Sequence, residues 1–362
     1  MSAMRILSVV GARPQFIKAA PVSRALRQRC HEVLVHSGQH YDSAMSDVFF
    51  EQLGIPAPDH ELGIGSGRHG EQTAAMLAAI EALLIDLAPD AVLVYGDTNT
   101  TLAGGLAAAK LGVPVVHVEA GLRSFNRAMP EEINRVVVDH LSELLFCPTQ
   151  VAADNLAAEG IRKGVHVVGD VMLDTLRLFA GHEAAGSHVP AAFGVEPGRY
   201  HLATVHRAAN ADDPDALARL IEGFERIGEP VLWAVHPRTH ARLAEFGLAP
   251  AVERAKNLRV LEPVPYLETI GLLRAAKTLL TDSGGMQKEA YFFGVPCVTL
   301  RDETEWVETV ELGWNTLVGT DPDRIAQASL HPRRPSERPP VYGDGHAAER
   351  IADVIVTHLR ER

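Results

Sequence analysis

Cysteine is nearly absent: Cys30, Cys147 and Cys297 are the only three in 362 residues. They are far apart and form no C-x-x-C pair, so neither a disulfide framework nor a thiolate metal site is indicated. No H-E-x-x-H gathers any of the 17 scattered histidines, and no metal reading survives. G-x-G-x-x-G is also missing, and Gly63-Ile64-Gly65-Ser66-Gly67 does not open a dinucleotide-binding helix. Long apolar runs are lacking too. Met1 to Val10 holds one arginine and a short apolar run that ends at Gly11, too short for a signal segment or a membrane helix, so a cytoplasmic location is expected. Positive charge is in deficit, with 34 Lys and Arg against 46 Asp and Glu and a formal net charge of -12. That balance argues against a general nucleic-acid or anionic-membrane surface. An anionic substrate must therefore be held by a local cluster of Arg, Lys, His and helix N-termini.

What is present is a globular composition, 46% hydrophobic and 22% charged, in a chain long enough for two domains. Short apolar runs alternate with helical patterns. Ile6–Val10, Glu32–His36, Ala91–Tyr95, Val115–Val118, Leu144–Cys147 and Val165–Val168 read as buried strands, and Glu71–Leu87 carries apolar residues at helical spacing. A second series follows at His201–Val205, Val231–Val235, Arg259–Leu261, Thr278–Thr281, Val295–Leu300 and Thr316–Val318. Asp213-Pro214 and Asp321-Pro322 each place a capping residue before a first-turn proline. Such alternation predicts parallel sheets covered by helices on both faces, and two series predict two Rossmann-like α/β domains. The join falls within 170–197, where His182–Gly198 is rich in Gly, Pro and Ala. The expected domains are 1–175 and 176–345, with a final helix over His346–Leu359.

The unusual polar clusters sit where ligands bind in open parallel sheets, outside the carboxyl ends of strands. Gly11-Ala12-Arg13-Pro14-Gln15 leads into a helix that carries Lys18, and Gly38-Gln39-His40-Tyr41 follows the second strand. Gly96-Asp97-Thr98-Asn99-Thr100 and His117-Val118-Glu119-Ala120-Gly121-Leu122-Arg123 end two others. The second half repeats the arrangement at His206-Arg207, His236-Pro237-Arg238, Asp282-Ser283-Gly284-Gly285 and Arg301-Asp302. Ser283-Gly284-Gly285 is the most informative, because a strand there runs into a helix whose first N–H groups attract an anion. Glu289 lies one turn further on, placed to accept hydrogen bonds from ribose hydroxyls. Phosphate and ribose together mean a nucleotide. Taken singly, these residues have plainer meanings. His206 and His236 read as structural histidines, Lys18 as a solvated helix lysine, and Glu131 and Glu132 as favourable first-turn charges. The same pattern in both halves implies two sheets facing one cleft.

Together the motifs resemble the non-hydrolysing UDP-N-acetylglucosamine 2-epimerases over essentially the whole chain. The resemblance is carried by GARPQFIKAAP from Gly11, YGDTNTTLAG from Tyr95, HVEAGLRSFNRAMPEEINR from His117, HRAAN from His206, HPRT from His236, TDSGGMQKEA from Thr281 and RDETEW from Arg301. It implies a glycosyltransferase-B type fold with the active site in the interdomain cleft, a homodimer, and a C-terminal helix, 346–362, that packs back on the first domain. It implies epimerisation at C2 of a UDP-2-acetamido sugar without NAD or metal, for cell-surface polysaccharide synthesis. In the family UDP is eliminated across C1 and C2 to a 2-acetamidoglycal and then added back. Matched by motif, Asp97, Glu119 and Glu131 are the catalytic carboxylates, His206 the catalytic or phosphate-facing histidine, and Lys18 the motif lysine. Arg13, Arg135, Ser283, Gly284, Gly285 and Glu289 match UDP-binding positions, which His236 and Arg301 join. Gln39, His40 and Gln72, beside His236, resemble a region where UDP-GlcNAc acts allosterically.

Two departures bear on the substrate. The family's RDTTERPE pattern appears as Arg301-Asp302-Glu303-Thr304-Glu305-Trp306-Val307-Glu308, so Trp306 replaces an arginine near the nucleotide and sugar. Gln15-Phe16 and Trp306-Val307-Glu308 resemble the subgroup acting on UDP-2,3-diacetamido-2,3-dideoxy-glucuronic acid for lipopolysaccharide O-antigen. A retaining UDP-sugar glycosyltransferase and an inactive UDP-sugar sensor share the fold. The first does not need three carboxylates, and the second is disfavoured because none of them is missing.

Overall fold

The computed structural model describes residues 4–38, 54–179, 188–262 and 264–362, without the side chain of Arg13. The chain divides into two compact units, Met1–Leu178 with Pro340–Arg362, and Phe179–Pro339.

The first unit holds a seven-stranded sheet: β1 (Arg5–Val10), β2 (His31–His36), β3 (His60–Glu61), β4 (Ala91–Tyr95), β5 (Val115–Val118), β6 (Leu144–Cys147) and β7 (Val165–Val167). The spatial order is β3-β2-β1-β4-β5-β6-β7, every pairing is parallel, and the order reverses between β1 and β4. β4 and β6 are apolar along their length because both of their faces are covered. Leu7, Val9, Val92 and Val94 pack with Met76, Ile80 and Leu84 of helix His69–Leu87 and with Ala103 and Ala107 of helix Asn99–Lys110.

The second unit repeats the design with β8 (His201–Thr204), β9 (Val231–Ala234), β10 (Leu258–Leu261), β11 (Thr278–Thr281), β12 (Cys297–Thr299) and β13 (Asn315–Leu317), in the order β10-β9-β8-β11-β12-β13. Its reversal lies between β8 and β11. Phe224 and Trp233 meet edge to face in its core, with ring centroids 5.5 Å apart. Each reversal opens a crevice at the strand ends, where a ligand can reach both neighbouring loops.

The sequence pattern missed β3, which is only two residues long. It also overextended β12. Gly294 ends the preceding helix at φ +68°, and Pro296 has no N–H for a ladder, so pairing starts at Cys297.

The unit boundaries fall at 178/179 and 339/340 instead of 175 and 345. Helix Val171–Phe179 belongs with the first unit because Thr175 Oγ1 donates to the Ile17 carbonyl at 2.7 Å. The returning chain is tied in before its helix begins, since Tyr342 O accepts from Asp170 N at 2.9 Å. Helix Ala347–Glu361 then packs against helix Arg13–Arg27, and Arg29 Nε reaches Asp353 Oδ1 at 2.6 Å. Its own N-cap, His346, makes no side-chain cap; Asp174 Oδ1 takes that place by accepting from Ala348 N at 2.7 Å.

Candidate functional site

In the first unit the site is built on the turn after β4. Gly96 takes φ +62°, and a Cβ there would lie 3.0 Å from Lys18 Nζ, so glycine is required for conformation and for space. Three successive carbonyls are held by side chains. Tyr95 O accepts from Gln15 Nε2 (2.9 Å) and Thr101 Oγ1 (2.6 Å), Gly96 O lies 2.7 Å from His117 Nε2, and Asp97 O accepts from Asn134 Nδ2 (2.9 Å). With its backbone fixed, Asp97 pairs its carboxylate with the Arg135 guanidinium, which also donates to Glu132 Oε2 at 2.8 Å.

The exit of β5 supplies Glu119. It adopts φ +70°, uncommon for a residue with a Cβ, and its amide and that of Ala120 both donate to Phe146 O, at 3.1 and 3.0 Å. Lys18 Nζ meets Glu119 Oε1 at 2.5 Å, and both residues are buried. Lys18 is carried by a helix whose start is held by Gln15 Oε1, which accepts from the amides of Gly11 and Ala12 at 2.8 and 3.1 Å. Charges out of water persist when paired in this way.

Glu131 and Glu132 part company. Glu132 is buried and saturated, accepting from Ser124 N, Ser124 Oγ and Phe125 N, each at 2.9 Å, as well as from Arg135. Glu131 is half-buried and makes no side-chain hydrogen bond to a described residue. Glu132 therefore holds the loop in place. Arg135, matched by motif to UDP, sits instead among these carboxylates with 2% exposure.

The second unit places Asp282 at the exit of β11, fully buried. It accepts from His206 N (3.1 Å), Arg207 N (3.0 Å) and Asn210 Nδ2 (3.1 Å), and its Oδ1 faces His206 Nδ1 at 3.0 Å. Burial pushes its carboxyl up, but the His206 charge and these hydrogen bonds together hold it below the usual carboxylate range. With Nδ1 engaged, His206 presents Nε2. Ser283 caps helix Gly284–Phe293, its Oγ accepting from Met286 N at 3.5 Å. Glu289 is buried and oriented by Tyr266, whose hydroxyl donates to Oε1 at 2.7 Å. A Cβ on Gly284 would come within 2.6 Å of Glu305 Oε1. Glu305 is held against this helix start by Arg301 (3.0 Å) and Arg207 (3.4 Å).

Arg301 is thus engaged in an ion pair within its own loop. Trp306 is buried, with Lys288 Nζ 4.0 Å from its ring centroid, a cation–π contact. His236 caps helix Pro237–Glu245, accepting from Arg238 N at 3.2 Å, and its ring lies 5.9 Å from that of His206. Gln72 is buried and clamped, donating to Gly65 O (3.0 Å) and accepting from Asn99 Nδ2 (2.9 Å). Gln39 and His40 lie outside the described residues, as does the side chain of Arg13. Among the described residues no group of three or more His, Cys, Asp or Glu is placed to hold a metal ion. No helix there is long and apolar enough to cross a membrane.

Two Rossmann-like units, one carrying paired carboxylates and cations and the other a Ser-Gly-Gly helix start beside a histidine, make this a protein of glycosyltransferase-B type. The chain belongs to the UDP-N-acetylglucosamine 2-epimerase family, whose model matches residues 24–356. It is 50% identical to the UDP-2,3-diacetamido-2,3-dideoxy-D-glucuronate 2-epimerase of Pseudomonas aeruginosa, over 97% of this chain and 99% of that one. It is 48% identical, over 97% and 99%, to a UDP-N-acetylglucosamine 2-epimerase homolog of Methanococcus maripaludis. The crystal structure of the Methanocaldococcus jannaschii UDP-GlcNAc 2-epimerase in complex with UDP-GlcNAc and UDP matches with a TM-score of 0.90 at 43% identity, over 98% of this chain and all of that one.

Sequence reasoning gave no role to Glu132, His117, Asn134, Asp282 or Tyr266. Three carried a usable signal. Glu132 stands three residues before Arg135 on one helix, His117 two before Glu119 along a strand, and Asp282 directly before the Ser-Gly-Gly turn. Tyr266 comes from a separate segment, and only the fold brings it to Glu289.

Proposed function

We propose that the chain interconverts UDP-GlcNAc and UDP-ManNAc by non-hydrolysing epimerisation at C2. The C2 proton is not next to a carbonyl, so enolisation is closed to it. Removing that proton while the C1–O bond to UDP breaks gives a 2-acetamidoglycal; UDP then returns to C1 as a proton reaches C2 from the other face. Electrons balance without an oxidant. Asp97, Glu119 and Glu131 carry the proton in this scheme, and Lys18 holds Glu119 in place through their ion pair. The helix start at Ser283–Gly285, His206 and Arg13 stabilise the departing diphosphate, and Glu289 holds the ribose.

The observation that carries this reading is that Asp97 and Glu119, at the exits of β4 and β5, are each held against a buried cation, while Glu131 on helix Pro130–Leu141 has no side-chain partner among the described residues. A glycosyl-transfer site has no use for such a set. Proton NMR in heavy water with UDP-GlcNAc alone tests it: UDP-ManNAc should form with deuterium at C2 and no acceptor added. Release of free sugar, or no reaction, would overturn it.

A second substrate is favoured by the 50% identity to the Pseudomonas aeruginosa diacetamido-glucuronate epimerase, against 43% and 44% for two UDP-N-acetylglucosamine 2-epimerases of methanogens. The replacement of arginine by Trp306 fits that reading too. The chemistry is the same, and running both UDP-sugars in one NMR series decides between them. The product of either serves cell-surface polysaccharide synthesis in the cytoplasm. Exposed Ile133 and Val137, one turn apart on helix Pro130–Leu141, support a homodimer.

A further inference from the structure

His117 is fully buried on β5, two residues before Glu119, and the epimerisation scheme gives it no role. Both of its ring nitrogens face acceptors. Nε2 lies 2.7 Å from Gly96 O, and Nδ1 lies 2.7 Å from Asp139 Oδ1. A carbonyl cannot donate. Asp139 is already saturated with donors: Gly121 N at 3.1 Å and Arg123 Nη1 at 2.6 Å, both to Oδ2. Burial raises the Asp139 carboxyl, but its hydrogen bonds and charge contacts with His117 and Arg123 bring it below the ordinary range. The carboxylate is therefore ionised and the proton between the two residues is on the ring. Two contacts of 2.7 Å are the length expected of charge-assisted N–H···O bonds.

The charges close on themselves. Arg123 runs from Asp139 to Glu159, meeting Glu159 through Nε at 2.6 Å and Nη2 at 2.8 Å, and His140 Nε2 adds a contact to Glu159 at 3.1 Å. Arg123 thus bridges the buried Asp139 carboxylate to Glu159 at the surface.

We propose that His117, clamped between Asp139 and the Gly96 carbonyl, fixes the Gly96 peptide and thereby aims Asp97, a positioning residue for the epimerase reaction. The Gly96 carbonyl precedes the Asp97 amide, so the direction in which it is pulled sets the plane from which Asp97 departs. Asn134 holds the carbonyl on the other side of Asp97, and Arg135 then meets its carboxylate. This role rests on the proposed epimerase activity.

The test is a split between turnover and binding. His117→Gln and Asp139→Asn should each lower kcat roughly 10–100-fold, the scale of a misplaced catalytic group. UDP affinity by calorimetry should be unchanged. Unaltered kcat in either folded variant would overturn the positioning role, and so would a loss of UDP affinity as large as the loss of kcat, which would mark a purely structural effect. Absence of epimerase activity in wild type would instead strike the proposed function on which this role rests.

Discussion

Lys18 Nζ and Glu119 Oε1 are 2.5 Å apart with both side chains buried, whereas Glu131 has no such partner among the described residues. This difference separates activity from stability among the three candidate carboxylates. Glu131→Gln, Glu119→Gln and Asp97→Asn should each lose about 10²–10⁴-fold in turnover and retain UDP affinity, since shape survives the change and proton transfer does not. Glu119→Gln also strips buried Lys18 of its paired carboxylate, a loss costing about 3–5 kcal/mol where no relaxation relieves it, whereas Arg135 keeps Glu132 in Asp97→Asn. The melting temperature of Glu119→Gln should drop most, while that of Glu131→Gln stays near wild type. Equal melting temperatures in Glu119→Gln and Glu131→Gln would show that Lys18 does not depend on Glu119.

The second expectation concerns the nucleotide. Ser283 spends its hydroxyl on the helix cap, at a long 3.5 Å, so Ser283→Ala should weaken UDP binding by only about 1 kcal/mol. Glu289 is pre-aimed by Tyr266, and as a charged acceptor for ribose hydroxyls it should cost about 1.5–3 kcal/mol per lost bond when changed to Ala. Tyr266→Phe should fall between the two, because the carboxylate remains and its orientation does not. Calorimetry with UDP reads all three, and unchanged affinity in Glu289→Ala would remove it from the ribose site.

The fold was legible because buried parallel strands announce themselves. The runs Ala91–Tyr95, Val115–Val118, Leu144–Cys147 and Thr278–Thr281 are fully buried, mostly apolar and bounded as written. β3 was not legible, since two residues carry no period. At the site, Asp97, Glu119 and Lys18 stood out as polar residues at strand exits and by motif. What the sequence withheld was the division of labour among neighbours. Glu131 and Glu132 are adjacent and chemically alike, and only their positions on the helix turn one toward Arg135 and Ser124. Trp306 was expected beside the nucleotide as a lost arginine. Its burial under Lys288 depends on a helix packing that no local pattern encodes.

A pH-dependent stability effect should arise at Asp174. Burial, outweighing the amides of Ala348 and Ala347, raises its carboxyl from 3.8 to about 6. A raised folded-state value means that the protonated form is the one favoured by folding. Its contribution is complete below the unfolded value and is lost as pH rises through about 6. At pH 8 the folded state therefore carries an ionisation cost on the order of 2–3 kcal/mol. Asp174→Asn keeps an oxygen for Ala348 N and removes that cost. The variant should be the more stable by denaturant unfolding at pH 8, with the gain shrinking as pH falls from 6 toward 4. No gain at pH 8 would mean that the capping interaction offsets the burial.

The last expectation concerns the His206–Asp282 pair. Asp282 accepts from two backbone amides and from Asn210, and its Oδ1 faces His206 Nδ1 at 3.0 Å. An asparagine there has one accepting oxygen. If that oxygen stays with the amides and Asn210, its NH2 turns to His206 and demands an unprotonated Nδ1. The ring must then carry its proton on Nε2, the nitrogen proposed to face the leaving diphosphate, and it loses the carboxylate beside Nδ1. In the serine-protease triad the same Asp→Asn change imposes the wrong tautomer and lowers kcat by about 10⁴. Here the histidine serves a leaving group beside a helix N-terminus, so a smaller loss, roughly 10–10³-fold in kcat/KM, is expected. Asp282→Asn should also move His206 to the Nε2–H form in 15N spectra. In a His206→Asn background, adding Asp282→Asn should change turnover little further, because the residue it acts through is gone. Additive losses in the double variant would show that Asp282 works through the backbone it anchors and not through His206.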